Sequence, residues 1–163
     1  MSRLLFDLES TLQQLIVEHR KLLKHVDAHQ NAMKTMALDG MDQAANQQEA
    51  SRLRIVTLEN TRRAIVQQIA QQNRLAGEMT IARLAMVFPQ RGDALIKLRD
   101  ELKKTIQQIQ VRTHIAGRLA GAVLGHLNTV VRLIAGAVER AGIYNKSGVP
   151  QMSNRIGVME AVG

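Results

Sequence analysis

The chain has 163 residues, a formal net charge of +8, no cysteine, no tryptophan and only 2% aromatic residues. Strands of a sandwich or barrel draw on aromatic and β-branched residues, so the composition argues against an all-β protein, and the lack of cysteine excludes disulfides and thiolate metal sites. Ala, Leu, Gln, Arg, Met and Ile dominate, and prolines stand only at Pro89 and Pro150, which points to an all-α chain.

The N-terminal stretch lacks the charged-then-apolar run of a secretory signal, because Asp7 and Glu9 interrupt it. Residues 2–37 carry a regular heptad. One row is Leu5, Leu12, His19, Val26 and Met33; the other is Leu8, Leu15, Leu22, His29 and Met36. The rows alternate at spacings of three and four, which predicts one apolar stripe along a first long helix. Leu38 to Asp42 reads as a stop and restart, with Gly40 in the left-handed cap and Asp42 capping the next helix. A second helix is expected over 42–76. Its stripe is Ile55, Leu58, Ile65, Ile69 and Ala76, widened by Val56 and Val66, and its polar opening from Gln43 to Ser51 is expected to fray. A short apolar helix, Met79 to Phe88, follows Gly77. Pro89 to Gly92 is the strongest break in the chain, with Asp93 placed to cap the next helix.

The last long helix is expected over 93–141. Every seventh residue from Leu95 is apolar: Leu102, Ile109, Ala116, Val123, Val130 and Ala137. A flanking row runs Leu98, Ile106, Leu119, Leu127, Leu133 and Ile134, drifting as a 3.6-residue helix must against a heptad. Gly142 offers the stop. The chain is therefore expected to be an elongated antiparallel helical bundle or coiled coil of three long helices and one short one. Residues 1–141 form the bundle and 142–163 a flexible C-terminal tail without a helical stripe.

Chemistry finds little support. Phosphate loops, H-E-x-x-H and the Gly-x-Ser-x-Gly elbow are missing, so no catalytic residues and no cofactor are expected. His25 and His29 are four apart on one helix, but a metal site needs a third protein ligand, so no metal is assigned. His19 and His29 are expected at the edge of the stripe with a ring nitrogen reaching solvent. Eight Lys/Arg stand against four acids over 93–141, without a dense basic block, and Tyr144 is the only Tyr available to stack on a base. A solvated basic face is preferred to nucleic-acid binding, although the surplus charge can steer an acidic partner. Ile115 to Val138 contains Arg118, His126, Asn128 and Arg132 and reads as too polar for a membrane span. Gly117, Gly121 and Gly125 recur every four residues. The preferred reading is a smooth face that lets another helix of this chain approach, and the alternative is a docking groove or bend. Of the methionines, Met33, Met36 and Met41 surround the first turn while Met79 and Met86 lie on the short helix; core filling and an adaptable binding surface explain them equally.

Helix lengths provide the functional clue. If helices one and two form a hairpin, the last helix outruns it by about 13 residues, roughly 20 Å. Its stripe nevertheless continues through Val130, Leu133, Ile134 and Ala137. An uncovered stripe of that size is the signature of a binding site. A dimer partner, a client helix or a bend at the glycine row could cover it.

The order of elements, with Leu98-Arg99-Asp100-Glu101-Leu102 opening the last helix, resembles the flagellar export chaperone family FlgN. So does the tail element Tyr144-Asn145-Lys146-Ser147-Gly148. The resemblance implies a non-enzymatic cytoplasmic chaperone that binds hook-filament junction (hook-associated) proteins before secretion. It also implies delivery to the cytoplasmic domain of the export gate through the tail. The partner-binding residues expected on this reading are Leu119, Val123, Leu127, Val130, Leu133, Ile134 and Ala137 for the client, with Tyr144 and Gly148 for the gate. Neither nucleic acid nor stable membrane insertion is expected. The competing classes are a structural coiled-coil oligomer, including a homodimer, and a basic nucleic-acid binder.

Overall fold

The computed structural model describes residues 2–142, and the side chains of residues 3–136. All four elements are helices: α1 (Ser2–Lys34), α2 (Leu38–Gln72), α3 (Ile81–Val87) and α4 (Pro89–Gly142). The chain divides into two units, Met1–Ala120 and Gly121–Gly163. The expected tail, Gly142 apart, lies outside the described residues.

In the first unit the heptad of α1 becomes its buried face. Leu8, Leu12 and Leu15 are almost fully enclosed, and Leu5, Ile16, Leu22, Val26 and Met33 are buried with them. Each such leucine contributes on the order of 1.5–3 kcal/mol by leaving water. The core joins Leu5, Leu8, Leu12, Leu15 and Ile16 to Val66 and Ile69 of α2, Leu84 and Ala85 of α3, and Leu95 and Leu102 of α4. Two departures from the expected stripe follow. Val56 is 57% exposed and does not widen the α2 face, and Ala76 lies beyond the end of that helix.

Side-chain pairs fix the directions. Gln48 Nε2 reaches the His25 carbonyl and His29 Nδ1, while Arg54 lies near Glu18, so α1 and α2 run antiparallel. Arg91 pairs with Glu9, Glu101 with Arg20, and the Arg112 carbonyl accepts from Gln30 Nε2. These partners are separated by 82, 81 and 82 residues, so this part of α4 runs parallel to α1. The order is up, down, up, with α3 as a short connector.

The helix ends correct the expectation based on glycine. Helix α1 stops at Lys34, and the left-handed residue is Met36 (φ 54), not Gly40. Ala37 N–H donates to the Ala32 carbonyl at 2.9 Å and Met36 N–H to the Met33 carbonyl at 3.3 Å, the bond pair of a Schellman motif. Helix α2 then begins at Leu38 behind Ala37, with no side-chain cap, and Asp42 is already inside it. The same device ends α2. Arg74 is left-handed (φ 50), Leu75 N–H bonds to the Ala70 carbonyl and Arg74 N–H to that of Gln71. Gly40 instead permits close approach, since a Cβ there would lie 3.2 Å from that of Ala32. The opening of α2 does not fray: Ala44 and Ser51 are 3% and 1% exposed.

Pro89 begins α4 rather than breaking the chain ahead of it, because a first-turn proline lacks only an N–H that has no helical partner. The break falls at Phe88 (φ −121, ψ 70), and Asp93 is not a cap. Helix α3 is capped by Thr80, whose hydroxyl oxygen accepts from Arg83 N–H at 3.2 Å. Gly92 is obligatory at the α3–α4 corner: a Cβ would meet the Ala85 carbonyl oxygen at 2.8 Å.

Candidate partner-docking face

Over its first part, α4 is an ordinary core helix. Leu95 is fully buried, Leu102 and Thr105 nearly so, and Leu98 and Ile106 pack against the same cluster. In the second unit the pattern of sequence continues but burial stops. None of the described side chains from 121 to 136 is buried.

At 100° per residue those sixteen positions divide cleanly into two halves. One half holds Val123, Leu124, His126, Leu127, Val130, Val131, Leu133 and Ile134; the other holds Gly121, Ala122, Gly125, Asn128, Thr129, Arg132, Ala135 and Gly136. Leu124 is 66% exposed, Leu133 63%, Val131 62%, Ile134 59% and Leu127 41%, while Val123 and Val130 along the middle are half-buried. Leu119, at the end of the first unit, is also half-buried. Of the stripe expected to lie open, Leu133 and Ile134 are exposed and Val130 is half-buried, and the exposed part is broader than the heptad row implied. Ala137 falls within α4, but its side chain lies outside the described residues, as do Tyr144 and Gly148 entirely.

Among the described residues no other helix packs closely on the glycine row. A Cβ at Gly117, Gly121 or Gly125 would meet nothing within 4 Å. The row lies on the polar half, away from Val130. Helix α4 also contains an 18-residue window of mean hydropathy 1.4, none of it buried, so length and composition alone would let it cross a membrane. That average is higher than the polar residues suggested. A span is apolar all round, whereas here Asn128, Thr129 and Arg132 collect on one side, the pattern of a helix with one wet face.

Arg112 is the polar element the sequence reading left without a role. Its guanidinium Nε lies 3.6 Å from Asp27 Oδ1, and its carbonyl accepts from Gln30 Nε2 at 2.7 Å. Gln30 is 5% exposed, so this bond is one that burial makes necessary. His19 differs from expectation: it is 8% exposed, and Nδ1 is 2.7 Å from the Leu15 carbonyl. His29 Nδ1 lies 2.9 Å from Gln48 Nε2. Among the described residues no group of three His, Asp or Glu could hold a metal ion.

What the site offers is an open apolar half-face on a helix, with no clustered acid, base or nucleophile beside it among the described residues. The family model described as FlgN protein matches residues 1–151. The chain belongs to the FlgN family. FlgN proteins are flagellar export chaperones for hook-associated proteins, and they are not enzymes. No match is found among curated proteins or among solved structures. Membership of FlgN implies binding of hook-associated proteins.

Proposed function

We propose that this FlgN chain is a cytoplasmic chaperone that holds hook-filament junction proteins on the apolar half-face of α4. Leu119, Val123, Leu127, Val130, Leu133, Ile134 and Ala137 form the client face, and Tyr144 with Gly148 presents the loaded chaperone to the cytoplasmic domain of the export gate. The observation that carries the reading is the exposure of Leu124, Val131, Leu133 and Ile134 together on one side of a single helix. Large apolar side chains grouped in this way are costly to leave in water and mark a place where another apolar surface docks. An amphipathic client helix laid into such a face is a recurrent mode of recognition. Shielding that helix also keeps the client from aggregating before export.

The test is the double substitution Val130→Asp with Leu133→Asp, assayed by pull-down of hook-filament junction proteins. It puts two charges on the docking face and leaves the α1–α2–α3 core untouched. Client binding is expected to be lost while the far-UV circular dichroism spectrum is retained. Unfolding of the variant, or undiminished client binding, would remove the face from the chaperone's function.

A further inference from the structure

The exposed arc of α4 is too wide for one partner helix. Leu124 and Leu133 are nine positions apart, so at 100° per residue they mark opposite edges of an arc of about 180°. Leu127, Val130, Val131 and Ile134 lie between them, and His126 is the one polar residue inside. The seam between two paired helices is much narrower, on the order of 100° or less.

The first unit provides a measure within the same helix. There the core-facing arc of α4 runs from Thr105 through Leu98, Leu102, Leu95 and Ile106 to Ile96, about 180°. Covering it takes two helices. Helix α1 approaches through Glu9–Arg91 and Arg20–Glu101, and α2 contributes Val66 and Ile69 to the shared core. An open arc of the same width needs no fewer.

We infer that the occupant of the open face is a pair of helices supplied by the client, one along the Leu124 edge and one along the Leu133 edge. This rests on the client reading proposed above and specifies the form of the client. A second copy of this chain would bring one equivalent α4 face and leave an edge uncovered. A lipid surface fits less well, because an interfacial helix lines its wet half with cations, and Arg132 is the only Lys or Arg between 121 and 136.

The experiment uses the full chain and two single variants, Leu124→Ser and Leu133→Ser, titrated calorimetrically with full-length hook-filament junction proteins. Both side chains are about two-thirds exposed, so neither change touches the core. Each variant is expected to weaken binding about tenfold or more, because each removes an apolar contact to a different client helix. Loss at one edge with the other silent would establish a single helix and overturn the inference, while leaving the client face in place. Two other outcomes also overturn it. One is self-association of the wild type, seen by sedimentation, that both variants abolish with client affinity unchanged. The other is binding to mixed phosphatidylcholine and phosphatidylglycerol vesicles that both variants abolish, again with client affinity unchanged. Failure of the wild-type chain to bind any junction protein would refute the proposed function itself, and the helix pair with it.

Discussion

Two leucines on the same pattern of sequence should behave oppositely when shortened. Leu12 is 1% exposed in the core, and Leu133 is 63% exposed on α4. Leu12→Ala removes buried methyl groups and leaves a cavity between α1 and its neighbours, a loss of about 3–5 kcal/mol. Leu133→Ala gives up contacts made mainly with water, and alanine's slightly better helix propensity offsets part of the loss. Its net effect should stay within about 0.5 kcal/mol. Urea unfolding followed by far-UV circular dichroism separates the two. With a slope of about 1–3 kcal/mol per molar urea, Leu12→Ala lowers the midpoint by about 1 M or more and Leu133→Ala barely moves it. Repeating the titration at several protein concentrations makes the test sharper. A loss above about 1.5 kcal/mol for Leu133→Ala, or a midpoint that rises with concentration in the wild type alone, would mean the face is already covered in the free protein. The argument that this face waits for a client would then be refuted.

Three further predictions follow from local geometry and from the family. Gly92→Ala forces a Cβ against the backbone of Ala85 and should cost about 1–3 kcal/mol in thermal unfolding; a neutral result would show that the α3–α4 corner relaxes freely. Gly121→Ala, where nothing lies within 4 Å, should raise helicity and stabilise its helix by up to about 1 kcal/mol without changing client affinity. Weaker client binding there would place the glycine side within the docking surface. Tyr144→Ala should leave stability and client affinity nearly unchanged while weakening binding to the gate's cytoplasmic domain and slowing secretion. The reverse pattern would assign the ring to packing instead of docking.

The all-α class and the presence of three long helices and one short one can be read from the chain alone. Heptad spacing is a local property: residues three and four apart share a face whatever the rest of the molecule does, so Leu8, Leu12 and Leu15 were marked as one stripe before any fold was known. The continuation of the stripe through Val130 and Leu133 is equally legible.

Other features depend on distant contacts that no local pattern records. Helix ends were misplaced because glycine was read as the stop, whereas Met36 and Arg74 take the left-handed conformation themselves. For a non-glycine residue this costs roughly 1–2 kcal/mol, and the paired backbone bonds of each Schellman motif offset it. Gly40 and Gly92 are needed for what lies across from them, Ala32 and Ala85, and sequence position does not reveal a neighbour. His19 is buried and bonded within its helix, because burial is decided by the helices packed around it. The same limit applies to α4. Periodicity marks its apolar face along the whole length, but only the tertiary structure divides that face into a part closed by α1 and α2, at Leu95 and Leu102, and a part open from Leu124 to Ile134. Covering is a nonlocal event: it requires other helices to be present at that height, and the spacing of residues along one helix does not encode where its neighbours end.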